Sequence, residues 1–395
     1  MTASYARNAI VLGLLVAVGP FAIDMYIPAL PTIAADLATT TAATQMTLTA
    51  YFVGFGIFQI VFGPLSDAVG RKPPLYVGLA LFAVASVGCA MAADVHQLIT
   101  WRCLQGIAAS AAMVIPRAII RDMHTGIKAT RLMSLVMLVF SVSPILAPLF
   151  GSLLIESFGW RSVFVAVTVA SALAFVLVAT LLPETRPPAD RIPVGIASLL
   201  AGFARLLGDA RFLGLTFIGA LGMSSFFVFL ASSSFVYIGH FGLTPMQYSL
   251  AFSINAVGFI GTSQFAALLG ARFGVARVVS VAVSVYAGFA LLLCAAIASG
   301  FDSLAVLIVL LFCTNAGLGL VIPATMVLAL EDHGPIAGMA SALGGTIQMV
   351  VGALMIVIGG RFFDGTPLPM VAVITACAVG AFAAAFLTLM RRPRS

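Results

Sequence analysis

Three ionisable side chains, Asp24, Arg102 and Arg117, stand deep inside apolar stretches of this sequence. An ionised group in hydrocarbon is costly, so each such residue is a functional candidate by default. Asp24 is the one acid among them, and an acid in such a place can load and release a proton. Pro20 and Pro28 flank it by four residues on either side, and each proline frees a backbone carbonyl and loosens a helix. Arginine keeps its proton, so Arg102 acts by approaching or leaving an acid and thereby setting its preference for the charged form. If the two stretches are antiparallel helices, Asp24 lies about 9 Å from one end and Arg102 about 8 Å from the matching end at helical rise. The opposite charges then share a depth. Two readings stay open: a proton-coupling pair, or an ion pair that locks the two helices together. Arg117, next to Pro116, lies nearer the opposite end and is expected to snorkel.

Uncharged polar residues in the same kind of stretch are weaker signals. Tyr51, Gln59, Gln105, Asn255, Asn315 and Gln348 are candidates to line a central cavity and touch a substrate, and Gln105 shares a helix face with Arg102. Each is equally suited to a hydrogen bond between helices. Phe226, in the cluster Phe226, Phe227 and Phe229, is a candidate wall of an apolar pocket, against the alternative of facing lipid or packing. No GxxxxGK[ST], HExxH or GxSxG occurs, so neither a phosphate-binding loop, a zinc protease nor a hydrolase elbow is present. The histidines (His96, His124, His240, His333) sit in loops or at helix edges. The five cysteines lie in apolar runs without paired spacing, as packing residues do. The chain is therefore expected to have no catalytic residues, metal or cofactor, and to work by binding, conformational change and an ion gradient.

These residues need a membrane to matter, and composition supplies one. Hydrophobic residues make up 62% and charged residues 8% of the 395 residues, against about 25% charged in a soluble protein. That excludes a soluble enzyme, a nucleic-acid binder or a disordered scaffold. A spanning helix needs about 20 mostly apolar residues, and twelve such segments follow one another. Six fall at roughly 8–30, 44–66, 74–93, 97–120, 130–155 and 160–182, and six at roughly 212–236, 246–269, 277–299, 303–329, 335–360 and 368–390. The run from Asn8 to Leu30 is too long for a signal core and is expected to be a retained first helix.

The polar stretch around Pro183, Pro187, Pro188 and Pro193 reads as a linker. It gives an N-terminal bundle 1–182, a cytoplasmic linker 183–210 and a C-terminal bundle 211–395. With the N-terminus in the cytoplasm, fifteen Lys and Arg (among them Arg391, Arg392 and Arg394) fall in cytoplasmic segments. Only Arg161 and Arg361 fall on the other side. The bias places both termini in the cytoplasm and accounts for the net charge of +6. Short basic turns recur at Gly63–Lys72 and Arg272–Arg277, so the six-plus-six layout is that of a parallel-repeat secondary transporter.

The whole chain resembles the major facilitator superfamily, and within it the Bcr/CflA group of drug–proton antiporters. Gly63-Pro64-Leu65-Ser66-Asp67-Ala68-Val69-Gly70-Arg71-Lys72 is similar to the family's signature loop between helices two and three. Arg102-Cys103-Leu104-Gln105-Gly106 resembles the helix-four motif whose arginine is tied to proton coupling. Asp24-Met25-Tyr26-Ile27-Pro28-Ala29-Leu30-Pro31 is similar to the group's first-helix segment. Leu182-Pro183-Glu184-Thr185 and Ala337-Gly338-Met339-Ala340-Ser341-Ala342-Leu343 match its helix-six end and helix-eleven opening. The antiporter motif of helix five is degraded to Ala147-Pro148 and Gly151-Ser152, small for small.

The resemblance implies an all-α major facilitator fold of twelve helices. It implies a monomeric multi-pass protein of the bacterial inner membrane that exports small amphipathic antibiotics (phenicols, bicyclomycin or sulfonamides) against protons, with lipid around it. The residues alone reach only a cation-coupled carrier. A proton-linked carrier of a natural metabolite shares every motif, and a channel or an intramembrane enzyme is the alternative of another class. Gly63, Asp67, Gly70, Arg71 and Arg121 are the gating candidates. Asp67 is expected to face the N-terminus of helix eleven at Gly334-Pro335 and latch the cytoplasmic side, with Arg71 and Arg121 adding charge pairs.

Overall fold

The computed structural model describes residues 3–191 and 195–390. Pro193, Arg391, Arg392 and Arg394 lie outside the described residues. The chain forms two compact units, Met1–Gly195 and Ile196–Ser395. Among the described residues, twelve helical stretches are long and apolar enough to cross a bilayer. In a bilayer every backbone polar group must be satisfied within the segment, which leaves the helix as the local solution for such runs.

Unit 1 contains α1 (Ala3–Asp24), α2 (Leu30–Asp36), α3 (Thr41–Val69), α4 (Lys72–Met91), α5 (Val95–Met123), α6 (Gly126–Phe158) and α7 (Arg161–Leu181). Its first span, Arg7–Asp36, is broken. α1 stops at Asp24, a single 3-10 turn covers Ile27–Ala29, and α2 resumes at Leu30. Pro28 has no N–H to give the Asp24 carbonyl, and the Tyr26 amide turns to the Ile23 carbonyl at 3.1 Å. The Ala22 carbonyl is thereby released from the helix ladder. Ends are capped by side chains. Thr40 accepts the Ala43 amide at 3.2 Å before α3, and Asp94 accepts the Gln97 amide at 2.9 Å before α5, the usual remedy for orphan donors at a helix start.

Unit 2 contains α8 (Ile196–Leu207), α9 (Ala210–Ser234), α10 (Pro245–Ser263), α11 (Ala266–Phe273), α12 (Val275–Ala298), α13 (Leu304–Glu331), α14 (Ala337–Arg361) and α15 (Pro367–Ala385). A capping box of Thr244 and Gln247, with Pro245 in the first turn, opens α10. Both units bring their second and fourth spans into backbone contact through a glycine. A Cβ at Gly106 of α5 would overlap the Tyr51 carbonyl of α3, and one at Gly319 of α13 would overlap the Phe259 carbonyl of α10. Small residues allow this approach between membrane helices.

α8 departs from the expectation of a plain polar linker over 183–210. Leu199, Phe203 and Leu206 recur at helical spacing. Leu206 is fully buried, and Met339 of α14 fills the space beside Gly202. The segment folds because that stripe has α14 and α9 to pack on.

Candidate functional site

The break in the first span sets out the site. Asp24 is buried at the end of α1, and the Ser143 hydroxyl of α6 donates to its carboxylate at 3.0 Å. α6 comes this close because Gly151 has no side chain. A Cβ there would overlap the Met25 backbone. The degraded helix-five motif thus keeps its packing role through Gly151. Among the described residues Asp24 is the one buried acid.

Arg102 of α5 is fully buried. Its Nη1 donates to the released Ala22 carbonyl at 3.1 Å and to Gln105 Oε1 at 2.6 Å. Gln105 passes the chain on through Nε2 to Ser86 at 2.7 Å, and Ser86 donates to the Phe82 carbonyl. The guanidinium carbon lies 4.5 Å from the ring centres of both Tyr26 and Tyr51, and 5.9 Å from that of Phe164. Placing an arginine at bilayer depth costs roughly 2.5–3.5 kcal/mol on insertion scales. Two desolvated ring faces at about 2 kcal/mol each are enough to offset it.

Asp24 and Arg102 make no direct ion pair, so the locking pair considered from the sequence is not what this arrangement contains. The broken helix points the carboxylate at α6 and offers the guanidinium a carbonyl instead. Arg102 is nonetheless tied to α1 at Ala22, two residues before Asp24. Arg117 is half-buried.

The substrate candidates separate by exposure. Tyr51 is fully buried and its hydroxyl donates to the Gly19 carbonyl at 3.2 Å, so face and hydroxyl are both spent inside unit 1. Gln105 is equally occupied. In unit 2, Asn315 donates to Asn255 at 3.4 Å and Asn255 to the Ala251 carbonyl at 3.1 Å. Both asparagines are buried and act between helices. Gln59 and Gln348 are half-buried, and Gln59 Nε2 has no hydrogen-bond partner. Phe226 stacks on half-buried Phe259 at 5.3 Å. Behind this pair Phe229 stacks on Phe252, also at 5.3 Å, and Tyr237 meets Tyr248 at 5.8 Å. Gln59 and Gln348 are the candidates left with surface to offer, whereas Phe226 is buried within the ring stack.

The signature loop builds a second polar centre in unit 1. Gly70 takes φ of +99°, and an added Cβ would stand 2.9 Å from Glu184 Oε2, so glycine is required twice over. Arg71 is buried. It pairs with Asp67 at 2.7 Å and with Asp122 at 2.7 Å, and donates to Ser66 at 2.8 Å. Glu184 accepts the Arg71, Lys72 and Arg186 amides at 2.9, 3.0 and 2.9 Å. Partial burial pushes the Glu184 carboxyl up, but the amide donors outweigh it and hold the group below the usual carboxylate range. Lys72 Nζ reaches the Leu182 carbonyl at 2.8 Å, closing the end of α7. Gly63 lies along the same stretch of α3, near Val114. Arg121 is exposed and makes no ion pair among the described residues. Its neighbour Asp122 holds Arg71 instead.

Sequence reasoning missed Asp122, Ser143 and the part played by Tyr26. Asp122 stands beside an arginine at a helix end, where charges are common. Ser143 is one serine among many. Tyr26 lies inside the first-helix motif, and that position was the available signal. No group of three His, Cys, Asp or Glu suited to a metal occurs among the described residues. The site sets one buried acid and one buried cation at the same stretch of α1.

The Major Facilitator Superfamily profile matches residues 12–356. The uncharacterized MFS-type transporter YdgK of Bacillus subtilis (strain 168) is 34% identical over 94% of this chain and 92% of its own. A bicyclomycin resistance protein homolog of Haemophilus influenzae is 29% identical over 97% of this chain and 96% of its own. Multidrug resistance protein D of Escherichia coli (strain K12) is 30% identical over 86% of this chain and 85% of its own. The crystal structure of a bacterial homolog to the human lysosomal transporter Spinster covers 100% of both chains with a TM-score of 0.76 at 14% identity, a likeness of fold. A profile match of this length, with transporters as relatives, establishes the lineage. The chain belongs to the Major Facilitator Superfamily, beside its Bcr/CflA drug-resistance group, and is a multi-pass membrane transporter rather than an enzyme.

Proposed function

We propose that this transporter is a proton-coupled exporter of small amphipathic drugs of the bicyclomycin, phenicol or sulfonamide type. It works by alternating access in the bacterial inner membrane, with both termini in the cytoplasm. The observation that carries the reading is the burial of Asp24 at a helix break, beside a cation held on the carbonyl two residues earlier. Unloading a proton there changes the charge of a dry site, and the fixed Arg102 makes the ionised state reachable. The drug-resistance names of the relatives support export of antibiotics. The one-sided Lys and Arg distribution supports the orientation. Gln59 and Gln348 are the drug contacts in this reading, with Phe226 stacked on half-buried Phe259, and Gly63, Asp67, Gly70, Arg71 and Arg121 form the gate.

The test is transport in proteoliposomes with a pH-sensitive dye inside. Adding a phenicol, bicyclomycin or a sulfonamide to wild type should move protons in step with drug. Asp24→Asn should abolish uphill export and proton movement while drug exchange at equal concentrations persists. Normal uphill export by Asp24→Asn would refute the assignment. Proton movement that none of the three drug types elicits, with unchanged drug susceptibility in expressing cells, would point to a metabolite as the cargo.

A further inference from the structure

Unit 1 buries two arginines and satisfies them in opposite ways. Arg71 uses acceptors: two carboxylates and a serine hydroxyl take its Nε, Nη1 and Nη2. That is the ordinary solution for a buried cation of structural purpose. Arg102 is buried still more completely, yet only Nη1 is hydrogen-bonded, and Nε and Nη2 have no partner. Of its five N–H groups, three are left unused. Its charge is instead balanced by ring faces. A ring face attracts a cation without consuming a donor.

We infer that Tyr26 and Tyr51 are positioning residues of the coupling site: their rings hold the Arg102 cation in place of acceptor groups. This keeps Nε and Nη2 free to bind the Asp24 carboxylate once that acid has given up its proton. The inference rests on the coupling role proposed for Asp24 and adds two residues that reading does not assign. Both tyrosines are anchored from behind, Tyr26 by a 2.8 Å hydrogen bond with the Thr47 hydroxyl and Tyr51 by its bond to the Gly19 carbonyl. The rings are therefore fixed to α3 and α1 and cannot follow the guanidinium if it moves. The titratable groups in electrostatic reach of Arg102 are Tyr26, Tyr51 and Cys89 of α4, and Asp24 in turn reaches Tyr51. α5 and α7 contribute the uncharged Gln105 and Phe164. Asp24 is the one carboxyl in this set, and its own helix supplies the Ala22 carbonyl that Arg102 Nη1 already holds.

The experiment replaces each ring in the full-length protein and reads coupling apart from binding. Tyr26→Leu and Tyr51→Leu should cut drug-driven proton movement by about tenfold and flatten its pH profile, while equal-concentration drug exchange continues. Tyr26→Phe and Tyr51→Phe should restore most of the coupling, because the face and not the hydroxyl carries the role. Should a leucine variant fail to fold, phenylalanines of increasing fluorination at positions 26 and 51 give an isosteric series, and coupling should fall stepwise as the ring face loses electron density. Asp24→Asn is measured in parallel. If Asp24→Asn is uncoupled while the leucine variants and the fluorinated series keep wild-type coupling and pH profile, the clamp is wrong and the coupling site stands. If phenylalanine fails as badly as leucine, the hydroxyl anchors carry the role and the clamp is again overturned. Full coupling in Asp24→Asn overturns both readings.

Discussion

The two units share a six-span plan but differ in what they bury. Unit 1 encloses Asp24, Arg71 and Arg102, whereas unit 2 encloses no Asp, Glu, Lys or Arg among the described residues. Its interior polarity is an amide pair, Asn255 and Asn315, a run of serines in α9, and stacked rings. The same backbone arrangement therefore carries a charged interior in one half and a neutral aromatic one in the other. The difference teaches that the repeat fixes helix count and crossing, as the matching glycine contacts of Gly106 and Gly319 show. The Asp24 and Arg102 charges are a local addition, made where the first span is broken.

That contrast can be broken most sharply at Arg102. Arg102→Lys keeps a charge but loses the planar fork. Coupled export should collapse nearly as far as in Arg102→Ala, read as proton movement per drug in proteoliposomes. A fully active lysine variant would mean that any cation serves, and would remove the special status of unit 1.

The next largest effect concerns ion pairs of different burial. Arg71 and Asp122 pair with side chains 4% and 14% exposed, while Arg211 and Asp332 pair at 55% and 52%. Asp122→Ala leaves Nε and Nη2 of the buried Arg71 without an acceptor, while Asp67 and Ser66 still hold Nη1, and should lower unfolding free energy by about 2 kcal/mol. Asp332→Ala should stay within about 1 kcal/mol, because the pair is solvated and screened. Thermal unfolding in detergent checks both, and equal losses would show that the loop of unit 1 is no more tightly built than the rim of unit 2.

A smaller effect is expected in the aromatic half. Phe226→Ala removes a stacked ring, so half-saturating drug concentration should rise by about tenfold with protons moved per drug unchanged. A change in that ratio would place coupling in unit 2 as well.

The weakest distinction is between carboxylate caps. Glu184 in unit 1 is held below its ordinary value of 4.5. Asp209 in unit 2 is held below 3.8, first by the Phe212 amide, with burial opposing, then by the Arg211 amide and His333. A depressed acid contributes stability that is present above its ordinary value and is lost as pH falls through the lower folded value. Both proteins with Glu184→Gln and Asp209→Asn should therefore be less stable at neutral pH. Each should also lose part of the steep decline seen in wild type on acidification below about pH 4.5. Glu184→Gln should show the larger change, since Glu184 accepts three backbone amides where Asp209 accepts two. Unfolding curves between neutral and acid pH test the order.

Much of the site was legible because a bilayer forces local composition to reveal it. An aspartate or arginine amid some twenty apolar residues needs no partner to be noticed, so Asp24 and Arg102 stand out from the chain alone. The break could be anticipated from Pro20 and Pro28. What was not legible is who answers whom. Tyr51 reads as a cavity residue, yet the rotation of α3 turns it onto Arg102. Arg121 reads as a gate cation, yet Asp122, one residue on and about 100° around the helix, is the one that reaches Arg71. The helix α8 was hidden because its apolar stripe is short and broken by glycine and alanine.

The sequence by itself determined twelve apolar helices, the interruption of the first by proline, and the placement of one acid and one arginine at similar depth. These follow from hydropathy, helical rise and the missing proline amide, all properties of residues within a few positions of one another. Only the tertiary structure decided that Asp24 would be met by Ser143, that Arg102 would take the Ala22 carbonyl and two tyrosine rings, and that Arg71 would be neutralised by Asp122. Such pairings depend on how each helix is rotated and how closely it crosses its neighbour. In an apolar solvent hydropathy is nearly blind to rotation, so small residues and directional polar contacts between segments distant in the chain set it.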